Sequence, residues 1–392
     1  MREQNTGIEL DSLWKIAEGD LGLSVPCSND DLHVKGLGCL IQAMTESAGD
    51  DKLAIRIAKR EIYSRLLSYM KFERDRSLYP DIPDVPGPLF IVGFGRTGST
   101  FLHNLLALDN NARTPRLWEL WNPSPPPRFD SRADATRIEI ARRRLEFVAA
   151  TAPRILEIHP MDPQGPDECH WLMRHSPLLV MLYGVPAYWE WLKALTIPEL
   201  CELYAVYKLQ IQHLKLFWRG GRWVSKAFSH LHYLPVLFDI FPDANVVRLH
   251  RDPCQAIPSL CSLAAGYRSI FLGRVDLPAI GQALMAIFID GMRRSMEADK
   301  DQDSNRFTDT YFTDLVADPI GVVRQIYDRF GYEYTTAFEQ EMNTYIHNRA
   351  HHGIHRHAYQ LEEFALSRAQ VLVRSEEYLA WLTDRTGKAL IQ

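Results

Sequence analysis

Pro88-Leu-Phe-Ile-Val-Gly-Phe-Gly-Arg-Thr-Gly-Ser-Thr100 decides how this chain folds. The apolar run Leu89 to Val92 enters a glycine-rich turn, which opens the apolar segment Phe101-Leu-His-Asn-Leu-Leu-Ala-Leu108. That is the strand, loop and helix order of a P-loop. The nucleotide-hydrolysing frame reads G-x-x-x-x-G-K-[ST]; here Gly93 and Gly98 hold the glycine positions, Ser99 stands where lysine belongs and Thr100 follows. The lysine that reaches terminal phosphates is missing from the frame. Backbone N–H groups at the helix start still grip an anion, and Arg96 adds positive charge inside the loop.

Upstream, residues 8 to 76 carry Leu10, Leu13, Trp14 and Ile16, then Leu53, Ile55, Ile57, Ile62, Leu66 and Leu67, at mixed three-and-four spacing that predicts helices. Tyr79-Pro-Asp-Ile-Pro-Asp-Val-Pro-Gly-Pro88 cannot continue a helix. A helical N-terminal region over 1–80 and an α/β domain over 81–392 are therefore expected. Downstream, Gly221–Lys226, Asn245–His250 and Arg306–Phe312 predict three further strands, with a helix over Leu231–Phe241 between the first two and a charged helix over Arg132–Ala150. Strands alternating with helices imply a central parallel sheet with a helical layer on each face. Ligands of such sheets collect at the carboxyl ends of the strands, where Arg96, Lys226 and Arg251 fall.

The 392 residues are 46% hydrophobic and 24% charged, an ordinary globular balance, and the formal net charge of -5 argues against a dedicated nucleic-acid surface. Six cysteines (Cys27, Cys39, Cys169, Cys201, Cys254 and Cys261) form no C-x-x-C pair, so neither a zinc module nor a disulfide framework is expected. The first residues lack a signal-peptide profile and no apolar run reaches bilayer length, so an unanchored cytoplasmic protein without a membrane span is expected. His347, His351, His352, His355 and His357 lack the H-E-x-x-H spacing, and no metal is expected.

A second motif follows the third long strand: His250-Arg-Asp-Pro-Cys-Gln-Ala-Ile-Pro-Ser259. Asp252-Pro253 suits a helix start, leaving Arg251 at the strand tip and Ser259 about two turns along the helix. Two readings are open here. Arg251 and Ser259 bind a second phosphate, or Arg251 and Asp252 form an ion pair that caps the helix.

Together the two motifs resemble the sulfotransferases that use 3'-phosphoadenosine-5'-phosphosulfate (PAPS). Pro88 to Thr100 is similar to that family's 5'-phosphosulfate loop and Arg251 to Ser259 to its 3'-phosphate motif, with Arg96 as in the bacterial small-molecule and tyrosyl-protein branches. The similarity covers Pro88 to Ser262 and continues more weakly through Tyr311–Pro319 and His355–Phe364. The resemblance implies a P-loop-like three-layer fold, PAPS as donor, 3'-phosphoadenosine-5'-phosphate (PAP) as product, and no metal or nucleoside triphosphate.

It also implies roles for individual residues. Arg96, Thr97, Gly98, Ser99 and Thr100 would hold the 5'-phosphosulfate, Arg251 and Ser259 the 3'-phosphate, and Phe312 the adenine, with Arg349 or Arg356 closing over the nucleotide. Lys226 would steady the sulfuryl group as charge builds on the bridging oxygen. Glu119 is the first choice as base, its alternative being a partner of Arg116 or a local cap. His230, in Lys226-Ala-Phe-Ser-His230 with Phe228 where the family pattern has proline, is base, acceptor orienter or helix cap. His159-Pro-Met-Asp162 and Asp167-Glu-Cys-His170 line the acceptor site or brace a turn.

The expected acceptor is a hydroxyl on a small, partly apolar molecule, in a pocket walled by Trp118–Pro127 and Tyr183–Trp191. Oligomeric state is not legible. Two rival readings remain open: a degenerate P-loop kinase acting on a small alcohol, and a catalytically silent nucleotide-binding protein.

Overall fold

Alternation along β1 (Leu89–Gly93) sets the layers: Leu89 and Ile91 join one apolar cluster, Phe90 and Val92 the other. Successive strand residues point to opposite faces, so a strand apolar at every position must be covered on both. The computed structural model describes residues 8–25, 31–128, 131–218, 220–272, 275–351 and 360–391. Its sheet comprises β1, β2 (Ala112–Arg113), β3 (Arg222–Lys226), β4 (Asn245–His250) and β5 (Phe307–Tyr311), in the order β2-β3-β1-β4-β5 with every pair parallel. Ile91 lies opposite Lys226 and Gly93 opposite Leu249, which brings the tips of β1, β3 and β4 together.

On one face the helices Ser99–Leu106, Pro319–Phe330 and Thr336–His351 bury Leu102, Leu105, Val322, Ile326, Phe338 and Met342 against Leu89, Ile91, Val224 and Val247. On the other face lie Leu234–Ile240, Pro253–Leu272 and Leu277–Asp301. The predicted N-terminal helices are Leu10–Leu21, Leu32–Ala48 and Lys52–Leu78, the last two capped by Asp31 and Asp51 side chains. Their buried residues Trp14, Leu37, Ile62 and Leu66 join the same apolar cluster as Phe90 and Val246. No described helix is long and apolar enough to cross a membrane.

Three expectations are refined. The charged helix runs Arg132–Thr151, close to its expected span. The single helix expected over Leu231–Phe241 is instead a 3-10 turn, Phe228–His232, and a separate helix, Leu234–Ile240. Tyr233, at φ -138 and ψ 26, leaves helical geometry between them, and Pro235 suits the new first turn. Edge strand β2 was not expected, because two residues carry no periodicity.

A buried charge cluster fastens the C-terminal helix Arg368–Thr386 to the sheet. Arg248 of β4 donates from Nε and Nη2 to the two oxygens of Asp309 in β5, at 2.8 and 3.0 Å. His250 and Arg385 reach the same carboxylate at 2.8 and 2.6 Å, and Asp299 takes the remaining charge of both arginines. Burial alone would raise the Asp309 carboxyl; His250 and Arg248 overcome it and hold it far below the usual range.

Candidate active site

The loop after β1 takes its shape from close approach and unusual backbone angles. A Cβ on Gly93 would stand 2.7 Å from the Leu249 carbonyl oxygen, so that position tolerates only glycine. Gly98 has φ 89 and opens the helix Ser99–Leu106. Arg96, which is not glycine, is nevertheless left-handed at φ 74. Holding an L-residue there costs about 1 kcal/mol. Arg96→Gly should therefore be more stable than Arg96→Ala by about 1 kcal/mol in denaturant unfolding, both variants lacking the guanidinium. Equal stability would show that the loop carries no such strain.

The two sequence motifs meet. Arg96 Nε donates to Ser259 Oγ at 3.1 Å, and Arg251 Nη1 donates to the Arg96 carbonyl oxygen at 2.7 Å. The Arg251 guanidinium also lies over the Phe312 ring, 4.1 Å from its centroid, and Phe312 sits beside Gly98. Asp252 caps the helix from Pro253 by accepting from the Cys254 amide at 2.8 Å. The capping role thus belongs to Asp252, while Arg251 turns to the loop. Arg96, Gly98, Arg251, Ser259 and Phe312 form one cluster beyond the ends of β1, β4 and β5. Within it the Thr97 hydroxyl is buried without a hydrogen-bond partner, and Ser99 and Thr100 begin the helix.

Lys226 closes the cradle from the tip of β3. Its side chain is only 2% exposed, and Nζ donates to Thr100 Oγ1 at 3.0 Å and to Glu168 Oε1 at 2.9 Å. The other Glu168 oxygen lies 3.0 Å from His170 Nδ1. Burial works to raise the Glu168 carboxyl, but Lys226 and His170 hold it well below its ordinary value. Beneath them, burial and the Lys226 charge push His103 down to about 3, so it stays neutral.

Glu119 has a different place from the one expected. It has no exposed surface, and its Oε2 accepts from the Arg116 amide and from Arg113 Nη2, both at 2.8 Å. A base must meet the acceptor; a fully enclosed carboxylate carrying a guanidinium instead caps the helix Leu117–Trp121. That helix holds the next segment in place, since the Leu117 and Trp118 amides donate to Gly165 and Pro163 carbonyls and Asp167 N–H donates to Pro115. The segment carries Glu168, a residue that sequence reasoning left between lining the acceptor site and bracing a turn.

Of the three readings left open for His230, its surroundings favour the structural one. It is fully buried, with Nδ1 2.8 Å from the Tyr204 hydroxyl and Nε2 3.2 Å from Cys169 Sγ, and burial together with His170 pushes it down to about 3. A ring engaged at both nitrogens braces the turn after β3. Of the expected acceptor walls, Tyr183, Tyr188 and Trp189 belong to the core. Beside Glu168 the half-buried Trp171 stands edge-on to the half-buried Trp121 at 6.0 Å, and the buried His170 packs against Trp171 and the buried Phe228. Arg349 lies 4.7 Å over the Phe101 ring, near the first turn of the loop helix; Arg356 and three of the clustered histidines (His352, His355 and His357) fall outside the described residues.

Residues 88–336, well over half of the chain, match the model of the sulfotransferase family. The chain belongs to that family. Curated relatives in Mycobacterium bovis and Mycobacterium tuberculosis, both named omega-hydroxy-beta-dihydromenaquinone-9 sulfotransferase Stf3, are 26% identical over 306 residues, covering 76% of this chain and 75% of theirs. Sulfotransferase STF1 from M. tuberculosis H37Rv superposes with a TM-score of 0.77 at 28% identity, covering 93% of this chain and 98% of its own. STF9 from Mycobacterium avium shares the fold, with a TM-score of 0.83, 24% identity and 97% of both chains covered. The matched span of this sulfotransferase includes both anion motifs, Lys226 and Glu168.

Proposed function

We propose that this sulfotransferase moves a sulfuryl group from PAPS to the hydroxyl of a small, partly apolar acceptor, in the cytoplasm and without a metal. The observation that carries the donor assignment is the junction of the two anion motifs, in which Arg96 reaches Ser259 and Arg251 reaches the Arg96 carbonyl. A nucleotide with phosphates at two separate points fits a cradle with two linked halves better than a linear triphosphate does. The loop amides from Thr97 to Thr100 and Arg96 face the 5' end, Arg251 and Ser259 the 3'-phosphate, and Phe312 the adenine.

Catalysis in such a site is positioning and fixed charge. Lys226 closes the cradle beside Thr100 and meets the charge that develops on the bridging oxygen as the bond to sulfur breaks. Residues 81–392 act as the transfer domain, with the helices of 1–80 packed on it. An apolar acceptor is supported by the half-buried pair Trp121 and Trp171 beside Glu168 and by the quinone-derived name of the Stf3 relatives.

Calorimetric titration with PAP tests the donor assignment. Wild-type protein should bind PAP with metal chelated, and Arg251→Ala should weaken binding about tenfold or more. Binding undisturbed by that substitution would remove Arg251 from the nucleotide site.

A further inference from the structure

Glu168 meets the cradle through Lys226. Glu168 is partly exposed at 18%, whereas Glu119 has no exposed surface. Its Oε1 shares Lys226 Nζ with Thr100, so one ammonium joins the carboxylate to the first turn of the anion-binding helix. His170 Nδ1 lies 3.0 Å from the carboxylate's other oxygen, and the half-buried Trp171 packs against that histidine.

We propose that Glu168 is the general base of the transfer and that its ion pair with Lys226 is a latch opened by the donor's sulfuryl group. The inference rests on the PAPS reading. Lys226 cannot give its full charge both to Glu168 and to a transferring sulfuryl group. An anion placed against Thr100 competes for the ammonium. Once Lys226 swings toward the donor, Glu168 loses the field that keeps it a weak base and can accept a proton.

The acceptor oxygen then forms its bond to sulfur as the bond from sulfur to the bridging phosphate oxygen breaks. The electron pair of that bond leaves with PAP, and the hydroxyl proton passes to Glu168. Donor binding therefore precedes base activation, and an acceptor arriving alone meets a carboxylate still paired with lysine.

Glu168→Gln separates this role from a structural one, using PAPS and PAP as calorimetric probes and PAP release, with water as acceptor, as the turnover assay. PAPS should bind about fivefold more tightly, because Lys226 no longer has to leave a carboxylate. PAP, which lacks the sulfuryl group, should bind as before, and PAP release should fall about 100-fold. Unchanged release, or PAPS and PAP affinities that move together, would overturn the proposal. If the amide variant does not fold, Glu168→Asp keeps the charge with a shorter reach; its release rate should fall about tenfold, and a wild-type rate would overturn the proposal equally. Wild-type protein that binds neither nucleotide would sink the donor reading itself, a result distinct from the others.

Discussion

Lys226→Met should lower the rate of sulfuryl transfer about 100- to 1,000-fold while leaving PAP affinity within a few-fold of wild type. Lys226 ends β3 opposite Ile91, and its ammonium is held between Thr100 and Glu168 rather than by solvent. An ammonium already held beside Thr100 has only to turn from Glu168 to the donor as the bridging oxygen becomes anionic, and one donor of this kind is worth about 3 to 4 kcal/mol in the transition state. PAP carries no sulfuryl group, so the same substitution should leave most product binding intact. Single-turnover rates set beside calorimetric PAP titrations make the comparison. Loss of PAP affinity in step with rate would assign Lys226 to nucleotide binding instead.

Asp309→Asn should destabilise the fold by about 3 kcal/mol, the largest stability effect expected of any single change at the sheet. Arg248 is 1% exposed and loses its bidentate partner, while His250 and Arg385 lose theirs at the same time. Asp299 still meets both arginines, which keeps the loss near the lower end for a broken buried pair.

The pH dependence follows from the direction of the shift. The folded Asp309 carboxyl lies far below its unfolded value of about 3.9, so its contribution is complete above that value and is lost as pH falls below it. Urea unfolding should show the full wild-type advantage near pH 7 and a narrowing gap below about pH 4. A gap independent of pH would mean that the network contributes by shape rather than charge.

β1 and β4 are legible in the sequence because each is a short apolar run with a hard stop, Gly93 in one case and the Arg251-Asp252-Pro253 turn in the other. The order of the strands in the sheet is not local information; Ala112–Arg113 becomes an edge strand only because β3 lies beside it. Arg96, Arg251 and Ser259 stand in two recognisable motifs, and folding brings those motifs into contact across 155 and 163 residues.

Glu119 and Glu168 show where such reading stops. Both are carboxylates near tryptophans, and what distinguishes them is a partner from elsewhere. Arg113 and the Arg116 amide enclose Glu119, whereas Lys226, 58 residues away, comes to Glu168. Glu119 gave little signal of its enclosure, because Arg116 lacks the acceptor side chain that marks a capping box in sequence and only the Arg116 amide returns to the carboxylate. His230 offered none, because Tyr204 and Cys169 reach it from two other segments.

The most direct test is a donor competition with the purified protein at chelated metal, offering sulfur-labelled PAPS and γ-phosphate-labelled ATP to a pooled extract of hydroxylated apolar metabolites. Sulfur label should pass to an extract component with release of PAP, and no phosphate label should be transferred. Phosphate transfer that appears on adding magnesium, with no transfer of sulfur, would contradict the account and leave a kinase in its place.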